Sequence, residues 1–130
     1  MSLDIRIQTS KRRTQTDLAI SLNDDGYYSF LRPLFERLRE ECGKTIDPYA
    51  DATFTRDDFP RLRRLLDEAA VTAGQQPKAW KVHAGTQVRP TRKELYQTLE
   101  RDDLIKIIST LRNMVDVADE LGGVLECIGD

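Results

Sequence analysis

The sequence predicts a single α+β domain over residues 1–130, with three main helices packed on a mostly antiparallel or mixed sheet of four to five strands. Three observations predict it. The 130 residues match the usual size of one domain, roughly 100–150 residues, which buries one ordinary core. Apolar side chains recur at helical spacing in three long stretches and alternate with polar ones in several short ones. The order of these segments, β-β-α-(β)-α-β-β-α-β, lacks the strict alternation of a doubly wound fold, so the helices are expected on one face of the sheet.

Ile5 and Ile7 share one face of the first segment, and Leu18, Ile20 and Leu22 share one face of the second. Period two predicts strands. The polar stretch from Thr9 to Thr16 between them reads as an exposed loop. After Asn23-Asp24-Asp25-Gly26, the series Tyr27, Phe30, Leu31, Leu34, Phe35, Leu38 and Cys42 predicts an amphipathic helix that Gly43 stops. Pro33 removes one backbone donor inside it, which allows the first turn to stand as a separate short helix with Pro33 near the start of the longer one. A loop over Ile46 to Phe54 ends in a very short strand. A second helix is expected to start at Thr55, with its hydroxyl as cap, Pro60 in the first turn and Gly74 as the stop. Phe59, Leu62, Leu65, Leu66, Ala69 and Ala73 form its buried face.

Trp80 and Val82 alternate with Lys81 and His83, predicting a half-exposed strand that Gly85 terminates. A partner strand carries Leu95, Gln97 and Leu99 on one face and Tyr96 and Thr98 on the other, although a helix also fits its spacing. Leu104, Ile107, Ile108, Leu111, Met114, Val115, Ala118 and Leu121 make the clearest helical stripe, closed by Gly122-Gly123. Val124 to Ile128 then reads as a strand inside the sheet, because most of its side chains are apolar.

Composition narrows the function classes. Lys and Arg number 20 against 22 Asp and Glu, a formal net charge of −2, which does not predict a charge-driven polyanion binder. No apolar run approaches the roughly 20 residues of a membrane span, and the start lacks a signal-peptide core, so a cytoplasmic location and no membrane partner are expected. Cys42 and Cys127 have no CxxC spacing, and are expected to be reduced thiols of a bacterial-type cytosol. No GxGxxG or GxxxxGK[ST] occurs, and no cofactor is expected.

The candidate chemistry is sparse. His83 is the single histidine, so any imidazole chemistry must use it. It could in principle pair with Cys42 or Cys127 and an orienting carboxylate, and its plainer role is an exposed strand residue beside Trp80. Asp24-Asp25, Asp57-Asp58 and Asp102-Asp103 each precede a predicted helix, where carboxylates cap free N–H groups; no metal site is assigned to them. The basic clusters Lys11-Arg12-Arg13 and Arg61, Arg63, Arg64 lack aromatic stacking partners, and the second sits among Asp67 and Glu68, so nucleic acid is not the expected partner. Tyr27, Tyr28, Tyr49, Trp80 and Tyr96 stand at segment edges or on mixed strands; most are expected in the core and some as exposed interface anchors, a role in which Tyr and Trp are enriched. Tyr49, Asp51, Trp80, His83 and Tyr96 are accordingly the predicted binding residues, and no catalytic or metal-binding residue is assigned.

Trp80-Lys81-Val82, Gly85-Thr86, Lys93-Glu94-Leu95-Tyr96 and Cys127-Ile128-Gly129-Asp130 resemble features of small bacterial proteins similar to the immunity proteins of polymorphic or contact-dependent toxin systems. The resemblance covers the C-terminal half and implies a cytoplasmic protein that occludes a toxin's active site with acidic and aromatic surface residues. The expectation is thus a non-enzymatic protein-binding module whose partner is another protein. Two alternatives remain open at this point: a small hydrolase or metal-dependent enzyme using His83 with carboxylates, and a homodimeric or larger structural subunit.

Overall fold

Alternation at Leu3, Ile5 and Ile7 turns three apolar side chains to one side of strand β1 (Ser2–Gln8), where each is almost fully buried. The computed structural model describes residues 2–9, 19–23, 25–88 and 90–129. Leu18, the Lys11-Arg12-Arg13 cluster and Asp24 lie outside them. β2 (Ala19–Asn23) pairs antiparallel with β1, placing Ile20 and Leu22 on the core side. β6 (Val124–Gly129) pairs with the other edge of β1, and β3 (Ala52–Phe54) pairs with β6. The order is β2-β1-β6-β3, antiparallel throughout. β6 is therefore internal, as its apolar content predicts. Leu125 and Cys127 face the helices, whereas Glu126 pairs with Arg6 at 3.2 Å and Asp4 accepts from Ser21 at 2.6 Å on the opposite, polar face.

Helices α1 (Gly26–Cys42), α2 (Phe59–Gly74) and α3 (Arg101–Glu120) bury the sheet's apolar face. Asp25 caps α1 by accepting from the N–H groups of Tyr27 and Tyr28. Pro33 does not divide the helix: its ring is exposed, so the carbonyl it leaves unpaired lies on the solvent side. Gly43, at φ 73°, closes α1 with a bond from its N–H to the Arg39 carbonyl. α2 begins at Phe59, four residues later than the sequence predicts. The reason is Asp58, whose carboxylate accepts from the Thr55 N–H at 3.0 Å and from Lys44 at 2.7 Å, closing residues 55–58 as a turn. Thr55 therefore caps nothing, and Asp58 makes no cap bond to α2. Asp102 and Asp103 occupy the first turn of α3, where they oppose the dipole.

β4 (Ala79–Gln87) and β5 (Lys93–Glu100) form a separate two-stranded antiparallel ribbon. Residues 95–99 are thus strand rather than helix. Gly85 does not end β4. A bulge lies between His83 and Gly85, whose φ of 153° only glycine adopts readily, and the strand resumes to Gln87.

Candidate functional site: the β4–β5 ribbon

Register sorts the ribbon's side chains between two faces. Trp80, Val82, Gln97 and Leu99 point inward at the start of α1; Lys81, His83, Thr86, Glu94, Tyr96 and Thr98 point outward. The inward set holds the base. Leu99 is buried, the Trp80 ring lies 6.1 Å from that of Phe30, and the Gly26 N–H donates to Gln97 Oε1 at 2.8 Å. Gly26 fits because it has no Cβ: one built there would lie 2.8 Å from Val82 and 2.9 Å from Leu99. The Tyr27 phenol accepts from the Glu100 N–H at 3.1 Å, closing the attachment.

Beyond Val82 the ribbon leaves the body. Leu95, on the inward face but past α1, is 40% exposed; Tyr96 is 62% exposed and Val88, near the tip, 70%. On the outward face the His83 and Tyr96 rings meet edge-on with centroids 5.7 Å apart, and His83 Nε2 lies 2.5 Å from Glu94 Oε2. Thr86 donates to that same oxygen at 2.9 Å. The bonds from His83 and then Thr86 hold the Glu94 carboxyl below its ordinary pKa. A cleft of about 240 Å³ runs between His83, Ala84 and the start of α1.

The five residues singled out in the sequence do not form one site. His83 and Tyr96 are brought together, and Trp80 lies on the opposite face of the same ribbon as their structural anchor. Tyr49 and Asp51 belong to the turn before β3. Asp51 accepts from the Gly129 N–H at 2.9 Å, tying down the end of β6, and Tyr49, 57% exposed, donates its N–H to Asp47. Beside this turn is a cleft of about 530 Å³ that includes Arg39, Lys44 and Asp51. The cysteines are placed apart from the ribbon. Cys127 is buried in β6, where burial pushes its thiol up to about 12, and Cys42 ends α1. Neither lines the cleft beside His83. Among the described residues no three His, Cys, Asp or Glu side chains converge as metal ligands, and no helix is long and apolar enough to cross a membrane.

Two of the three arginines of the α2 cluster are used within the body. Arg63 pairs with Asp116 at 2.9 Å and Asp119 at 2.7 Å on α3, and Arg64 pairs with Glu41 on α1. A third basic group is dispersed along the chain rather than gathered on one helix. Lys78, Lys81, Arg92 and Lys93 are spread over the ribbon and its connection, and the signal lies in what is missing: no carboxylate occurs between Glu68 and Glu94. Comparisons with known protein families, with curated proteins and with solved structures find no match to this chain.

Proposed function

We propose that the protein is a non-enzymatic protein-binding module and that the β4–β5 ribbon is its docking arm. One observation carries this reading: the outer part of the ribbon presents Val88, Leu95 and Tyr96 to solvent. An isolated two-stranded ribbon is marginally stable in water. Here the base is fixed by Gly26, Tyr27 and Phe30, so the arm reaches a partner with part of its ordering entropy already met. Tyr96 supplies the kind of amphipathic side chain that anchors interfaces, edged by His83 with Glu94 beside it on the same face.

The immunity-type role implied by the resemblance of the C-terminal half belongs to the same proposal, with the arm covering a toxin's surface in the cytoplasm. Its chemistry then differs from the acidic surface the resemblance implies, because the arm is basic. Photo-crosslinking tests the reading. A benzophenone side chain placed at position 96 should yield a discrete protein adduct in source cells, and the same group at positions 61 and 112 should not. Equal adducts at all three positions, or none at 96, would refute it.

A further inference from the structure

Residues 78–93 carry Lys78, Lys81, Arg89, Arg92 and Lys93 and no carboxylate, so this stretch holds five positive charges in a chain of net charge −2. Arg89 lies outside the described residues; the other four sit on the ribbon or at its ends. The two edges of the ribbon differ. α1 and α3 both pack against β5, and the outward N–H of Glu100 is taken by the Tyr27 phenol. That bond also fixes the pattern of the ladder. Arg101 N–H bonds to the Lys78 carbonyl at 3.0 Å across the ribbon, so the next pair, Ala79 and Glu100, turns its backbone groups outward. Two and four residues on, Lys81 and His83 do the same on β4. Among the described residues no strand pairs with this edge of β4, and the bulge at Ala84 ends it.

We infer that the β4 edge from Ala79 to His83 takes up an extended, acidic segment of the partner protein as a third strand. The inference rests on the proposed docking role of the ribbon and names its partner's chemistry. Strand addition supplies main-chain hydrogen bonds from Ala79, Lys81 and His83, and side-chain pairing supplies the choice of sequence. A carboxylate placed opposite Lys81 on the outward face makes a favourable cross-strand pair, and an apolar residue at the next position meets Trp80 and Val82. The occupant therefore alternates acidic and apolar residues. Lys81 also disfavours a second copy of this chain, because a two-fold pairing of β4 edges centred there sets lysine against lysine. Exposed Leu95 and Val88 favour a protein over a phosphate backbone, which has no apolar group to meet them.

The test uses the whole protein and a fluorescein-labelled octapeptide of alternating glutamate and valine, with a lysine–valine octapeptide and a short DNA duplex as comparisons. The acidic peptide should bind roughly tenfold more tightly than the basic one, and more weakly as salt rises. It should slow amide hydrogen exchange at Lys81 and His83, leaving Tyr96 and Thr98 unchanged. Lys81→Glu, at an exposed position, should reverse the preference between the two peptides. Equal binding of both peptides, protection at Tyr96 and Thr98 instead, tighter binding of the duplex, or ribbon-dependent dimers in sedimentation would each overturn the inference. A protein adduct at position 96 alongside failure of the acidic peptide would refute this inference and leave the docking role standing.

Discussion

Replacing Gly26 by alanine tests the attachment on which the arm depends. The new Cβ would stand 2.8 Å from Val82 Cγ2, 2.9 Å from Gln97 Oε1 and 2.9 Å from Leu99 Cδ2. Carbon atoms pack at about 3.5–4.0 Å, so the ribbon base or the start of α1 must retreat by roughly 0.6–1.2 Å. Such overpacking costs about 1–3 kcal/mol. The same retreat lengthens the bond from the Gly26 N–H to Gln97, a further loss of about 0.5–1.5 kcal/mol. Gly26 is not among the positive-φ glycines, so alanine also brings a gain of up to about 1 kcal/mol from helix propensity and a stiffer unfolded chain. The net expectation is a loss of about 0.5–4.5 kcal/mol, or roughly 2–14 °C in Tm. Amide protection should fall first in β4 and β5, with β1 and β6 least affected. Gly74→Ala is the control: nothing lies within 4 Å of a Cβ built there, so a neutral or slightly stabilising change is expected. Circular dichroism melts and hydrogen exchange read both variants. Gly26→Ala as stable as the parent, with ribbon amides equally protected, would refute the reasoning.

Further expectations follow from the body. Burial alone would raise the Asp58 carboxyl, but Lys44 and the Thr55 N–H outweigh it and hold the group below its ordinary value of 3.8. Its stabilisation is therefore fully present above that ordinary value and is lost as pH falls from it through the lowered folded-state value. Asp58→Asn should cost about 1–2 kcal/mol at neutral pH and less near pH 3 in urea titrations, and a parallel loss at both would count against this. Tyr28→Phe removes the 2.6 Å bond to the buried Ile46 carbonyl and should cost about 1–3 kcal/mol; an unchanged urea midpoint would contradict it. Iodoacetamide on the folded protein should leave Cys127 unmodified while Cys42 reacts slowly, and mass spectrometry showing equal rates would contradict its burial.

Strong local periodicity made most of the fold legible. The stripe from Leu104 to Ala118 is one face of α3, and Gly122 and Gly123 close that helix with bonds to the Asp119 and Ala118 carbonyls. The start of α2 was not legible, because the competing turn at 55–58 is held by Lys44, a residue distant in sequence. The division into two sheets was hidden for a similar reason. Strand patterns give a face but not a neighbour, and the ribbon's separation depends on Gly26 and Tyr27 holding its base. His83 and Tyr96 could be singled out by type; their meeting depends on the register across the ribbon. The basic character of the ribbon is legible only as a run without carboxylates from residue 69 to residue 93, because Lys78 and Lys81 lie at its base and Arg92 and Lys93 near its tip, with no compact cluster between them. Arg63 and Arg64, conspicuous in sequence, are paired between helices.

The most direct measurement shortens the arm. Replacing residues 83–96 by Asn-Gly joins Val82 to Gln97, a directly opposed pair, through a tight hairpin turn and keeps the packed base of Trp80, Val82, Gln97 and Leu99. The account expects this variant to melt cooperatively within about 5 °C of the parent, since the removed side chains are mostly exposed. It also expects the protein captured by crosslinking at position 96 to bind it roughly tenfold more weakly in calorimetry, because the outer contacts are lost while the edge at Ala79 and Lys81 is kept. A folded, shortened protein that keeps its full affinity for that partner would contradict the claim that the ribbon is the docking arm.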